Sequence, residues 1–150
     1  MATTAVDHSL IDTNILVFAY LTHHPLYGAA RTRLQTLAGA GAELWLSRQI
    51  LREYLAAMTR PRQYTGAIPL ASLIADVQAF EQSYHVAEDN AAVTARLLNL
   101  IEAVPCIGKQ IHDANIVATM QEYGIQNLLT DNTADFARFG HLITVLALVP

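Results

Sequence analysis

The stretch His8-Ser9-Leu10-Ile11-Asp12-Thr13-Asn14-Ile15-Leu16 holds a short apolar run that stops on an acid and passes into residues of helical spacing. A run of four residues is too short for a buried helix, so His8–Ile11 is expected to be a strand. Four further segments share its character: Glu43–Leu46, Tyr84–Ala87, Gln126–Thr130 and Ile143–Leu146. Between them lie longer stretches with helical periodicity. The first, Asn14 to Gly39, contains Pro25, which predicts two helices with a break. Ser47 stands where an N-cap belongs, ahead of a helix carrying Ile50, Leu51, Tyr54, Leu55 and Met58 and ended by Pro61. Pro69 opens a helix over Leu70–Ser83. Asp89 or Asn90 caps the next, whose stripe is Val93, Leu97, Leu100 and Ile101. Ile111–Tyr123 stops at Gly124, a natural C′ residue, and a short helix, Thr133–Phe139, precedes the last strand. Alternating strands and helices imply a mainly parallel α/β sheet in a single domain spanning residues 1–150.

Composition agrees. Of the 150 residues, 53% are hydrophobic and 15% charged, which is ample for a core. No apolar run reaches the roughly 18 residues needed to cross a membrane. Met1 to His8 lacks the basic and apolar regions of a signal peptide, and Cys106 is the single cysteine. The expectation is a soluble cytoplasmic protein. The net charge of −4 opposes an all-over nucleic-acid-binding surface, although bound cations can reverse the sign locally. Arg48, Arg52, Arg60 and Arg62, with Tyr54 and Tyr64 among them, read equally as one solvated helix face or as a phosphate-contacting rim.

In parallel sheets the site lies beyond the carboxyl ends of the strands. Asp12 ends the first strand, beside the oxygen-bearing Thr13 and Asn14. It is either a helix cap or a ligand for a hard cation such as Mg2+. Asp131 ends Asn127-Leu128-Leu129-Thr130 in the same way, with Asn132, Thr133 and Asp135 following. Asp113 shares the stripe of Ile116, Val117 and Met120, where an unpaired carboxylate is costly to bury, so it needs a partner unless it escapes to solvent in the first turn. Glu53 sits on a helix flank and reads alone as a surface glutamate; only the helix's start, at the same sheet end as Asp12, raises it.

Other chemistries fail on spacing. Gly108-Lys109 lacks the remainder of a P-loop, Gly39-Ala40-Gly41 precedes a strand instead of following one, no Gly-x-Ser-x-Gly elbow exists, and the six histidines show no zinc spacing. Carboxylates gathered without cations repel one another, and one or two Mg2+ or Mn2+ ions remove that conflict. Attack of an activated water on a nucleic-acid phosphodiester then leaves a 5′-phosphate and a 3′-hydroxyl.

Taken in order, Leu10-Ile11-Asp12-Thr13-Asn14-Ile15-Leu16, Ile50-Leu51-Arg52-Glu53-Tyr54, Ile111-His112-Asp113-Ala114 and Leu129-Thr130-Asp131-Asn132-Thr133-Ala134-Asp135-Phe136 resemble the PIN domains, and among them the VapC-type toxins of bacterial toxin–antitoxin pairs. The resemblance spans Ser9 to Leu146. It implies a five-stranded parallel sheet in a three-layer α/β/α sandwich and Mg2+- or Mn2+-dependent endoribonuclease activity. It also implies an RNA substrate, a homodimer and a small antitoxin protein as partner. By it Asp12, Glu53 and Asp113 take the first three catalytic and metal-binding acidic positions. The fourth falls to Asp135, with Asp131 as a rival, because Asn132 stands where some members carry aspartate. Thr130 matches the threonine that supports the acids. Two other readings remain: a non-catalytic RNA- or protein-binding module of this fold, and a small-molecule metal phosphohydrolase. The latter is disfavoured because Asp12-Thr13-Asn14 lacks the second aspartate of an Asp-x-Asp phosphatase.

Overall fold

The computed structural model describes residues 5–62 and 66–149. The sheet has five strands, all parallel, in the order β3-β2-β1-β4-β5. They are β1 His8–Ile11, β2 Glu43–Ser47, β3 His85–Ala87, β4 Asn127–Thr130 and β5 Thr144–Ala147. Strand β1 is central: Leu10 pairs with Trp45 of β2 on one side and Leu128 of β4 on the other. Leu10, Ile11, Leu128 and Leu129 are wholly buried, as a sheet covered on both faces requires.

Six α-helices cover it: α1 Thr13–Tyr20, α2 Tyr27–Gly39, α3 Arg48–Met58, α4 Leu70–Ser83, α5 Ala91–Ala103 and α6 Gln110–Tyr123. Helix α1 packs on α2 and α3, and α5 on α6, giving two helical layers around the sheet. The expected three-layer α/β/α architecture is the one found. Among the described residues no helix is long and apolar enough to cross a membrane.

Local chemistry sets the element ends. The Ser47 hydroxyl accepts from the Ile50 N–H at 3.2 Å and Asn90 Oδ1 from the Val93 N–H at 3.2 Å, so Asn90 and not Asp89 is the cap. The chain breaks between α1 and α2 around Pro25, and Gly124 closes α6 at φ +66°, in the left-handed region. Several element ends differ from expectation by one residue: β2 runs on to Ser47, β4 starts at Asn127 and α6 at Gln110. Tyr84 caps α4, its N–H bonded to Phe80 O, so β3 starts one residue later. Strand β5 is displaced by one residue, to Thr144–Ala147. The short helix expected over Thr133–Phe139 is found with those bounds and is of 3-10 type, closing tightly as in Asp135 N–H to Asn132 O.

Candidate active site

The carboxyl ends of β1 and β4 meet directly. The Asp12 N–H bonds to Leu129 O at 3.0 Å, prolonging the ladder by one residue beyond β1. Asp12 also caps α1, its Oδ1 accepting from the Thr13 N–H at 2.8 Å. Its other oxygen accepts from the Thr130 hydroxyl at 2.7 Å and from the Asn14 amide at 3.3 Å. Thr130, wholly buried at the tip of β4, takes the Asn132 N–H in return, and Asn14 Oδ1 takes the Asp131 N–H. Two strand ends are thus laced through one aspartate, one threonine and one asparagine. Asp12 is only 6% exposed, and burial raises its pKa despite those three donors, with Glu53 adding to the rise.

Glu53 reaches the same place from α3. Its Oε2 accepts from the Thr13 hydroxyl and its Oε1 from the Gln49 amide, both at 2.8 Å. Asp113 arrives from the first turn of α6, where its flanks Ala114, Ile116 and Val117 are buried while it is itself half-buried. Among the described residues no hydrogen-bond donor meets its carboxylate. Its pKa is pushed up to about 6, first by burial and then by the charges of Asp135, Asp12 and Glu53, with Arg138 opposing. Asp12, Glu53 and Asp113 share one open cavity of about 320 Å³ with Thr13, Asn14 and Asn132, walled by Val17, Phe18, Ile116 and Phe136.

The fourth acid is resolved less simply. Asn132 lines the cavity; Asp131 and Asp135 are exposed and do not. Asp135 nevertheless leads the charges that raise the Asp113 pKa, whereas the bond recorded for Asp131 is its backbone N–H to Asn14 Oδ1. Among the described residues no three His, Cys, Asp or Glu side chains form a ready-made ion cage.

Three of the clustered arginines have partners within the chain. Arg48 is tied to Glu81 and Glu88 at 2.6 and 3.0 Å, and Arg52 to Asp89 at 3.4 Å. Arg62 donates to the Ala57 and Arg60 carbonyls. Tyr54 is buried, with its hydroxyl on Asp76 at 2.7 Å, so Asp76 is no free surface charge; Tyr64 lies outside the described residues. Sequence reasoning missed Gln49 and Asn115, which are bonded to each other at 2.8 Å beside Glu53. The spacing of four between Gln49 and Glu53, one helical turn, was the available signal.

The model of the PIN domain family matches residues 9–142. The chain belongs to the PIN-domain family. Solved structures bear the same fold at low identity. A chain of VapBC2 from Rickettsia felis, bound to a DNA fragment from its promoter, is 17% identical with a TM-score of 0.67, covering 93% of this chain and 98% of that one. A toxin–antitoxin complex from Klebsiella pneumoniae gives 19% and 0.64, over 93% and 97%. VapC20 of Mycobacterium tuberculosis, a sarcin-ricin-loop-cleaving toxin, gives 18% and 0.61, over 80% and 86%. No curated protein matches significantly by sequence. Within a PIN domain, the cavity at the tips of β1 and β4 is where the topology directs attention.

Proposed function

We propose that this protein is a Mg2+- or Mn2+-dependent endoribonuclease and the toxin of a VapBC-type toxin–antitoxin pair. The observation that carries the reading is the convergence of Asp12, Glu53 and Asp113 on one open cavity, with Asp113 left without a donor among the described residues. The donor set fits a hard divalent cation: carboxylates, the Thr13 hydroxyl and the Asn132 and Asn14 amides offer oxygen, and neither sulfur nor imidazole lines the cavity. Burial first, and the neighbouring acids after it, raise the pKa values of Asp12 and Asp113, so the ionised carboxylates carry a cost that a cation would relieve. When bound, such an ion supplies a water of lowered pKa and polarises a phosphoryl oxygen. The chain's own work is positioning. Thr130 and Asn14 hold Asp12, Thr13 and Gln49 hold Glu53, and Asp113 faces them from the start of α6. Asp135, whose charge leads those acting on Asp113, takes the fourth position on this reading, and Asn132 would offer a neutral oxygen inside.

The toxin role and the antitoxin partner rest on the likeness to chains whose structures are toxin–antitoxin complexes, and a homodimer on the resemblance to the VapC-type toxins alone. Purified protein is expected to cleave RNA only with Mg2+ or Mn2+, leaving 5′-phosphate ends, and Asp12→Asn and Asp113→Asn to abolish it. Cleavage that persists in both variants, or in excess chelator, removes the mechanism. Co-purification with the product of an adjacent short reading frame, and sedimentation at twice the chain mass, test the partner and the dimer.

A further inference from the structure

One polar side chain beside Glu53 is as fully engaged as Asp12 and is not an acid. Gln49 is 5% exposed, and every hydrogen-bonding group of its amide is engaged. One N–H donates to Glu53 Oε1 at 2.8 Å and the other to the backbone carbonyl of His112 at 2.9 Å. Its carbonyl oxygen accepts from Asn115 Nδ2 at 2.8 Å, and the Asn115 amide also reaches Asp89 Oδ1 at 3.4 Å. The orientation of the amide follows from its partners: turned over, its oxygen would face a carboxylate and a carbonyl, both acceptors. Neither glutamate nor an apolar residue of equal length reproduces this pattern. Glutamate sets an acceptor against two acceptors, and methionine leaves Glu53 Oε1 and His112 O without their donors.

The three bonds join two elements that carry proposed ligands. Gln49 and Glu53 share α3, while His112 immediately precedes Asp113 in the first turn of α6 and Asn115 lies two residues beyond. We propose that Gln49 is a positioning residue of the metal site, fixing the Glu53 carboxylate against the start of α6 and so setting its distance from Asp113. This inference rests on the nuclease reading above. The site then has two separately built halves. Asp12, Asn14 and Thr130 form one at the strand tips; Glu53, Gln49 and the first turn of α6 form the other. The Thr13 hydroxyl on Glu53 Oε2 is the direct bond between them. Without Gln49, Glu53 keeps only that bond and can swing about it.

The test is Mn2+ titration calorimetry on the full chain, beside RNA cleavage against Mn2+ concentration. Gln49→Met is expected to weaken Mn2+ binding by about 10- to 100-fold, as loss of an outer partner of a metal ligand does. The cleavage midpoint moves with it, and the rate recovers at high Mn2+. Gly124→Ala, a backbone perturbation at the far end of α6, controls for general destabilisation and leaves the Mn2+ midpoint in place. Should Gln49→Met fail to fold, Asn115→Ala cuts the same network one bond further out and is expected to move the midpoint less, in the same direction. A folded Gln49→Met, or in its place Asn115→Ala, with wild-type Mn2+ affinity overturns the positioning role while the nuclease reading stands. Wild-type protein that binds no Mn2+ at millimolar concentration overturns both.

Discussion

Asparagine in place of Asp113 is expected to stabilise the metal-free protein at neutral pH while abolishing its response to Mg2+. Burial and three neighbouring acids move the Asp113 carboxyl from 3.8 to about 6. The fold therefore binds this proton more tightly than the unfolded chain does. Stability from this group is complete below pH 3.8 and is lost as pH rises through about 6. Moving a carboxyl that far costs the ionised fold about 3 kcal/mol at most. Asp113 is half exposed, and solvent screening reduces the cost to about 1.5 kcal/mol. Asparagine also forfeits about 0.5 kcal/mol of favourable charge at the α6 N-terminus, leaving a net gain of about 1 kcal/mol. For a chain of this size that raises Tm by about 2–4 °C.

Urea and thermal unfolding of both proteins at pH 5 and pH 7.5, with and without Mg2+, measure it. The variant's advantage appears at pH 7.5 without metal and shrinks at pH 5, where Asp113 is mostly protonated in the wild type. Added Mg2+ raises the wild type more than the variant. A variant no more stable than wild type at pH 7.5, or equally favoured at both pH values, would refute the reasoning, since either result places the destabilising charge elsewhere.

Thr130→Val keeps the volume but removes the hydroxyl that Asp12 and the Asn132 N–H both use; urea unfolding is expected to show a loss of about 1–3 kcal/mol, with Thr130→Ser recovering most of it. Gly124→Ala meets no atom within 4 Å, so its cost, about 1 kcal/mol by the same assay, is that of a left-handed alanine alone. Arg48→Gln severs ion pairs at the surface and is expected to leave RNA cleavage and its salt dependence unchanged. A several-fold loss of cleavage would return Arg48 to the role of phosphate contact.

How much of this was legible in the sequence follows from how far each feature's causes lie along the chain. Strand β1, the break at Pro25, the Ser47 cap and the Gly124 stop are decided within a few residues, and all were readable. The 3-10 character of Thr133–Phe139 was not, because a closure of three against four residues is set by the strands it must join. Asp12 was legible as the acid at a strand tip. Asp113 was legible as the acid at the end of an apolar stripe. Glu53 has no such local mark: its partner Thr13 is 40 residues away, and only the family likeness singled it out. Gln49 was marked only by its spacing of four from Glu53, because its other partners, His112 and Asn115, lie 63 and 66 residues on. The partners of Arg48 were hidden for the same reason, since the acids that pair with it are 33 and 40 residues distant.

The three acids in the cavity differ in how much of their bonding capacity the protein has already used. An ionised carboxylate offers about four lone-pair positions. Asp12 has given three to Thr13, Thr130 and Asn14, and Glu53 two to Thr13 and Gln49. Asp113 has given none within the described residues, and its pKa stands at about 6. A frame that gives donors to two carboxylates and none to the third leaves the most room for a cation's relief where α6 begins, although burial raises the Asp12 pKa as well. On the proposed reading a divalent ion would be held in place chiefly by Asp12 and Glu53, while its stabilising effect would come chiefly from Asp113. Loss of either anchored acid would then weaken the fold with or without metal. Loss of Asp113 weakens it only when metal is present to be missed.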